Sequence, residues 1–214
     1  MLADGFRRIR EEHHIPDGFP PEVVAAAEEA SRRPLPADRD DARDLPFVTL
    51  DPAGSTDLDQ AMALAADGDA IVLSYAIADV GAFVAPGDVV DDEAWRRGVT
   101  VYAPNGPSRL YPPVLSEHAA SLLTDGDRPA VLLTVAVDGG GRATLRSARR
   151  AVVRSRAQLD YGPGPVAGLP PLLPELARRI EAADEARGAW RLDAPEQEIV
   201  SDPSAPSGVG LRLR

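Results

Sequence analysis

The sequence of 214 residues contains no cysteine and only three histidines. Without cysteine there is no disulfide bond and no thiolate ligand, so a metal site would have to use carboxylate or histidine side chains. No apolar run approaches the ~20 residues of a membrane-spanning helix, and no apolar stretch follows the charged N-terminus. We therefore expect a globular cytoplasmic protein with no membrane association and no disulfide-linked partner. The sequence leaves the oligomeric state open.

Lysine is also absent, and the formal net charge at pH 7 is −11. This excess of negative charge argues against a general nucleic-acid coat protein, because phosphate binding needs clustered cations. Positive charge is nevertheless concentrated in the arginine segment, residues 142–156, which contains no acidic residue. Its arginines are Arg142, Arg146, Arg149, Arg150, Arg154 and Arg156. Two interpretations stay open for this segment, a cationic strip that binds a polyanion or a solvated strand face.

Apolar periodicity and turn residues predict a mixture of strands and short helices. Strands are expected at 47–50, 70–80, 130–137 and 143–153, the last two joined as a hairpin by the turn at 138–141. Helices are expected at 20–33, 91–97 and 174–187, with another that Ser116 caps and that runs through Leu122. A final hairpin is expected between 196–200 and 209–213. This order predicts an α+β fold, a mixed or antiparallel sheet with short flanking helices.

Three carboxylates lie within nine residues in the acidic loop, residues 51–60, whose sequence is DPAGSTDLDQ. The loop begins where a strand is expected to end and contains a Pro/Gly turn, so Asp51, Asp57 and Asp59 could converge on one hard cation. Mg²⁺ prefers oxygen ligands and keeps water and substrate phosphate in its shell. A pair of such ions ~3.5–4 Å apart can support phosphodiester hydrolysis. Taken alone, the motif also fits an acidic solvated turn.

The acidic loop stands in a longer pattern. The segments TLDPAGSTDLDQAMAL, YAIADVGAFVAPGDVVDDEAWRRGVTVYAPN and LYPPVLSEHAASLL follow one another in this order. Together they resemble the ribonuclease II/R (RNB) family, with the likeness running from about Phe47 to Tyr161. The resemblance implies a 3′-to-5′ exoribonuclease that releases nucleoside 5′-monophosphates from single-stranded RNA at a magnesium site. It also implies a helical lead-in and linker over residues 1–44, then the N-terminal part of an incomplete RNB catalytic domain over residues 45–214.

The family resemblance assigns roles to particular residues. Asp51, Asp57 and Asp59 match the first three of four aspartates in the family motif, and Asp59 matches the one most critical for cleavage. Gln60 stands in the fourth place, where it offers a neutral oxygen to the metal but no charge. Tyr102 matches an aromatic residue that contacts the RNA 3′ end. The family's arginine that contacts the scissile phosphate lies in a segment that would follow Arg214.

The sequence leaves the roles of several other residues open. Arg146, Arg150 and Arg154 are candidate RNA-binding residues within the arginine segment. Ser116, Glu117 and Ser121 could contact substrate or could be a helix cap and helix surface. Gln60 and the missing downstream half favour an alternative function, a catalytically impaired RNA-binding fragment. A third alternative is a generic acidic α/β protein whose aspartate cluster is only a turn.

Overall fold

A computed structural model describes residues 2–103, 106–161, 166–190, 197–205 and 208–213. Its α-helices are α1 (Leu2–Glu12), α2 (Pro21–Ser31), α3 (Val89–Arg97) and α4 (Leu173–Ala186). The strands are β1 (Asp40–Asp41), β2 (Phe47–Asp51), β3 (Gln60–Asp67), β4 (Ala70–Ala78), β5 (Val101–Ala103), β6 (Gly106–Ser108), β7 (Arg128–Val137), β8 (Ala143–Val153), β9 (Ser155–Asp160), β10 (Gln197–Ser201) and β11 (Val209–Leu213). A 3₁₀ turn covers Val80–Ala82, and a π-helical turn covers Leu115–Ala119. None of the helices in these ranges has the length and apolar content needed to span a bilayer.

A seven-stranded sheet in the order β1-β8-β7-β4-β3-β2-β9 forms the centre of the fold. The inner strands β8, β7, β4, β3 and β2 pair antiparallel, while the edge strands β1 and β9 pair parallel with β8 and β2. The sheet is therefore mixed, and the predicted α+β class is confirmed. β1 lies within the predicted linker, and the division at residue 44 stays a prediction.

The hairpin of β7 and β8 forms as the turn chemistry predicts. The Asp138 carboxylate accepts hydrogen bonds from the backbone N–H groups of Gly140 and Arg142, both at 3.0 Å. Gly141 adopts φ 80°, a left-handed conformation that favours glycine. The predicted final hairpin is also present as β10 and β11, although Glu196 lies outside the described residues.

Two buried clusters fix the sheet end that carries the acidic loop. One cluster lies against the sheet and includes Phe47, Leu58, Leu122 and Val153. The other joins α2 and α3 to the segment around the fully buried Leu115. Helix α4 packs on the opposite end of the sheet, near the β3–β4 and β7–β8 turns. The acidic loop thus emerges from packed structure rather than from an isolated turn.

Local structure differs from the predictions at several elements, of which β3 and the Ser116 segment flank the acidic loop. The sequence did not predict β3, because its stretch QAMALAAD is rich in good helix formers. Tertiary pairing decides its conformation, since all eight of its residues pair with β4. The prediction of a helix that Ser116 caps and that runs through Leu122 is wrong. The Ser116 hydroxyl lies inside the π-helical turn and donates to the Tyr111 carbonyl at 3.3 Å.

Candidate active site

The acidic loop joins two neighbouring strands at one end of the sheet. β2 ends at Asp51 and β3 begins at Gln60. These strands pair antiparallel through Val48 and Met62, so the two ends of the loop lie on adjacent strands. Gly54 turns the chain with φ 81°, a conformation that a residue with a Cβ rarely adopts. The pairing of β2 with β3 therefore brings Asp57 and Asp59 back toward Asp51.

A buried serine fixes the middle of the acidic loop. The Ser121 hydroxyl donates to the Thr56 carbonyl at 2.7 Å and accepts from the Leu58 backbone N–H at 2.9 Å. Leu58 is fully buried, and its neighbours Asp57 and Asp59 are exposed. Anchoring the apolar residue between two aspartates turns both carboxylates outward while the backbone stays in place.

The three aspartates are close enough to repel one another. Burial raises the pKa of the Asp51 carboxyl, and the charges of Asp57 and Asp59 raise it further. Burial and the charge of Asp57 also raise the pKa of Asp59. Within the described ranges, no arginine or histidine forms an ion pair with any of the three. The structure thus brings together the three carboxylates that the sequence singled out and leaves their negative charge unbalanced.

The same carboxylates do not form a complete metal cage. In the part of the chain that the structure describes, no group of three His, Cys, Asp or Glu side chains is arranged to hold a metal by itself. The all-oxygen donor set and the unrelieved repulsion still fit a hard cation that takes its other ligands from water and phosphate. These donors would therefore be a partial ligand set for such a cation rather than a preformed site.

Tyr102 stands beside the acidic loop on the hairpin of β5 and β6. Its hydroxyl lies close enough to Asp57 for that carboxylate to influence its pKa, while the residue as a whole is 74% exposed. Partial burial of the hydroxyl and the charges of Asp57 and Asp59 raise the pKa of this phenol. An exposed ring held beside carboxylates can receive a nucleobase on its free face.

A cavity of about 280 Å³ opens between the acidic loop and this hairpin. Residues 54–57 of the loop form one wall, and the other lining residues are Thr100, Tyr102, Pro107, Arg109, Ser116 and Glu117. Ser116 and Glu117, whose roles the sequence left open, therefore lie at the candidate site. A cavity with an aromatic face, carboxylates and one guanidinium can hold a nucleotide together with a cation.

The family profile of the RNB domain matches residues 39–163. The chain belongs to the RNB family. Ribonuclease R of Acidithiobacillus ferrooxidans is 33% identical over 150 residues, which cover 69% of this chain and 34% of that protein. Ribonuclease R of Escherichia coli (strain K12) is 37% identical over 153 residues, which cover 70% of this chain and 19% of that protein. The match thus spans 34% and 19% of these two curated relatives, and the resemblance inferred from the motifs of the chain is confirmed.

A solved structure supports the same RNB fold. Mycoplasma genitalium RNase R, in complex with ribose-methylated single-stranded RNA, superposes with a TM-score of 0.79 at 22% identity. The superposition covers 98% of this chain and 36% of the RNase R chain. At this identity the likeness establishes the fold of the RNB domain.

The arginine candidates of this RNB domain have acidic partners outside the acidic loop. The pairs are Arg146–Asp67 (2.7 Å), Arg150–Asp79 (3.8 Å) and Arg154–Asp127 (2.6 Å). Arg150 and Gln60 lie on the same line across the sheet, because Gln60 pairs with Ile77, Ile77 with Val131, and Val131 with Arg150. Three strand spacings separate them, roughly 14 Å. Arg146 lies toward the far end of the sheet, so the structure does not gather the three arginines at the aspartates.

Arg109 and Gln158 are among the residues at this site that sequence reasoning missed. Arg109 lines the cavity, and Gln158 on β9 donates its side-chain N–H to the Ser55 carbonyl at 2.8 Å. Ser121, whose role the sequence left open, is a backbone clamp separated from Leu58 by 63 positions. No local sequence pattern predicts such contacts, because they depend on which strands become neighbours in the sheet.

Proposed function

We propose that this chain is the N-terminal part of the catalytic domain of a Mg²⁺-dependent 3′-to-5′ exoribonuclease that acts on single-stranded RNA in the cytoplasm. The observation that carries the proposal is that three carboxylates lie near enough for their charges to add to burial in raising the pKa of Asp51 and Asp59, with no basic ion-pair partner among the described residues, beside an exposed tyrosine in an RNB fold. The RNA substrate is suggested by the family and by the single-stranded RNA bound to the Mycoplasma genitalium enzyme. The lead-in over residues 1–44 and the catalytic part over residues 45–214 are proposed on the same basis.

In this proposal Asp51, Asp57 and Asp59 hold Mg²⁺, and Gln60 offers a neutral oxygen. When bound, the cation supplies positive charge for the phosphate and for the attacking water. The Tyr102 ring receives the base at the RNA 3′ end, where stacking contributes ~1–3 kcal/mol per base. Its hydroxyl lies near the Asp57 carboxylate, whose charge adds to partial burial in raising the pKa of the phenol and keeps it protonated as a donor. The Ser121 clamp keeps the aspartates in place without contacting substrate.

Nucleotide release tests the proposal directly. The chain is incubated with single-stranded RNA labelled at its 3′-terminal nucleotide, in Mg²⁺ or in excess chelator. We expect early release of labelled nucleoside 5′-monophosphate that depends on Mg²⁺. Release that begins at the 5′ end, or that continues unchanged in chelator, would contradict the proposed reaction.

A second function has a specific observation in its favour. Gln60 stands where the family motif has a fourth aspartate, so the site has one carboxylate fewer to hold a cation. The chain could then bind RNA with impaired turnover, the expected result being RNA affinity without nucleotide release. The variant Gln60→Asp tests whether the missing fourth carboxylate is what impairs turnover. If the missing carboxylate limits the reaction, the variant gains nucleotide release in Mg²⁺ while its RNA affinity falls or stays unchanged.

A further inference from the structure

The cavity beside the acidic loop contains one cationic side chain among its described lining residues. Its ionisable lining residues are Asp57, Glu117, Arg109 and Tyr102. A strand of RNA that enters this cavity brings further negative charge toward the three aspartates. The phosphates nearest the loop therefore need a positive partner from the protein in addition to any metal. Arg109 is placed to be that partner.

The backbone at Arg109 is held from two sides. The Arg97 guanidinium donates to the Arg109 carbonyl at 3.1 Å, and the Leu110 backbone N–H donates to the Thr100 hydroxyl at 3.1 Å. Arg97 is itself buried, with its guanidinium 3.8 Å from the centre of the Phe19 ring. The base of the Arg109 side chain is thus fixed to a packed part of the fold, which makes its position well defined.

The guanidinium of Arg109 is oriented but not saturated. Its Nε donates to the Glu117 carboxylate, which fixes the plane of the group. Neither Nη nitrogen donates to a protein group within the described residues, and the side chain remains 35% exposed. Arginine presents a planar fork of donors that matches a phosphate in two-point contact. The remaining donors are therefore available for a phosphate in the cavity.

We propose that Arg109 binds a backbone phosphate of single-stranded RNA near the nucleotide that stacks on Tyr102, with Glu117 holding its Nε. This inference rests on the proposed function, because it places the substrate in the same cavity. An Arg–Glu pair on an open surface contributes little to stability and needs no ligand. Arg109 differs in lining a cavity with Asp57 and Tyr102 while its Nη groups stay available.

Binding measurements on the full chain test this contact. The probe is a fluorescent, 2′-O-methylated single-stranded oligoribonucleotide in Mg²⁺, titrated at several salt concentrations. Arg109→Ala is expected to weaken binding about tenfold, the equivalent of ~1.4 kcal/mol. Its salt slope should fall by about 0.7, the loss of one phosphate contact on a single strand. Arg178→Ala is the matched control, since Arg178 also pairs with a glutamate but lies on α4 at the opposite end of the sheet.

Neutral linkages in the probe make the test specific to one phosphate. Methylphosphonate is placed at each linkage in turn from the 3′ end. One position near that end should weaken binding to the parent chain and leave binding to Arg109→Ala unchanged, because the contact is already lost. Equal effects of every linkage on both proteins would overturn the inference. If circular dichroism shows that Arg109→Ala is unfolded, Arg109→Gln, which can still donate to Glu117, takes its place.

The outcomes separate this inference from the function on which it rests. If the parent chain binds the RNA and Arg109→Ala binds it equally well with the same salt slope, Arg109 is not a phosphate contact while RNA binding stands. If the parent chain fails to bind single-stranded RNA, both are overturned. Weaker RNA binding by Arg109→Ala at an unchanged melting temperature supports the phosphate contact of Arg109, provided that one methylphosphonate linkage weakens binding to the parent and has no effect on the variant.

Discussion

The acidic loop and the arginine segment carry opposite charge, and they differ in how that charge is balanced. The carboxyl pKa values of Asp51 and Asp59 are raised, because each carboxyl is partly shielded from solvent and lies near another aspartate. In the arginine segment, by contrast, Arg146, Arg149 and Arg154 each face an aspartate at 3.1 Å or less. The acidic loop keeps its charges unneutralised, whereas the arginine segment pairs these three of its arginines with aspartates within the protein.

This difference indicates which region is adapted to a ligand. Unbalanced carboxylates destabilise a fold, so their convergence points to a partner that supplies positive charge. Ion pairs at an exposed surface contribute about 0–1 kcal/mol each and do not require a ligand. The acidic loop is therefore the stronger functional candidate, although the sequence makes the arginine segment just as conspicuous.

The largest expected effect follows from Asp59→Asn. The change keeps the size of the side chain but removes one charge from the partial ligand set, so metal positioning and water activation should suffer. We expect hydrolysis to fall by roughly 10²–10³-fold or more, the range for loss of one positioned electrostatic group. RNA affinity should stay within about twofold, because Asp59 repels phosphate rather than binding it. Nucleotide release and RNA binding are measured in parallel in Mg²⁺.

Two results would change the assignment of Asp59. Retained hydrolysis in Asp59→Asn would move the chemistry to other carboxylates. Equal loss of binding and hydrolysis would indicate a structural role. Asp67→Asn is the control, since Asp67 pairs with Arg146 at the other end of β3 and lies outside the acidic loop. It should leave both measurements nearly unchanged.

The next effect concerns the scaffold of the acidic loop. Ser121→Ala removes both hydrogen bonds of the clamp and leaves the buried Leu58 backbone N–H without its partner. Such a group costs about 1–3 kcal/mol of stability, which urea denaturation can measure. Because the loop also loses its fixed geometry, the variant should need a higher Mg²⁺ concentration for half-maximal nucleotide release.

Ser155→Ala provides the control for a merely structural loss. Ser155 is also buried and donates one hydrogen bond, to the Leu122 carbonyl at 2.8 Å. It should lower stability while leaving the Mg²⁺ dependence unchanged. A normal Mg²⁺ dependence in Ser121→Ala would show that the clamp supports the fold and not the arrangement of the aspartates.

A smaller effect should appear in how the stability of the fold depends on pH, through Asp51. The folded state raises the pKa of Asp51, so it binds a proton more tightly than the unfolded chain does. Stability from this group is therefore present at low pH and is lost as pH rises through the raised pKa. At pH 7 without metal, Asp51→Asn should melt slightly higher than the parent, by no more than about 2–4 °C. The difference should shrink as the solution is acidified.

Added Mg²⁺ should reverse the order of these two proteins. A cation that binds the ionised carboxylates stabilises the parent by mass action and stabilises Asp51→Asn less. Melting curves with and without Mg²⁺ measure both differences. A parent that melts higher than the variant in chelator at pH 7 would mean that the charge of Asp51 is already balanced within the protein.

Local chemistry accounts for what the sequence predicted correctly. The β7–β8 hairpin follows from its Asp138 and Gly141 turn, and the acidic loop is a contiguous motif whose resemblance to the RNB family is specific. β3 was missed because alanine-rich residues take the conformation that pairing with β4 imposes. The placement of Arg109 and the balancing of the arginine segment depend on partners brought together only by the sheet.

The smallest expected effect comes from replacing Arg146, Arg150 and Arg154 together with glutamine. Three fully engaged phosphate contacts would lower the salt slope of RNA binding by about 2 on a single strand. Since each arginine already has an aspartate partner, we expect a smaller decrease and a loss of only a few-fold in affinity. Most of the change should come from Arg150, whose contact with Asp79 is the longest of the three at 3.8 Å and whose side chain is 64% exposed. Arg150→Gln alone should therefore reproduce most of the triple variant's shift in slope, measured with the same fluorescent RNA.

If neither variant changes the slope, the arginine segment is a solvated, internally balanced strand face. A slope that falls by the full amount would instead mean that RNA displaces all three aspartates, which would remove the contrast between the two regions.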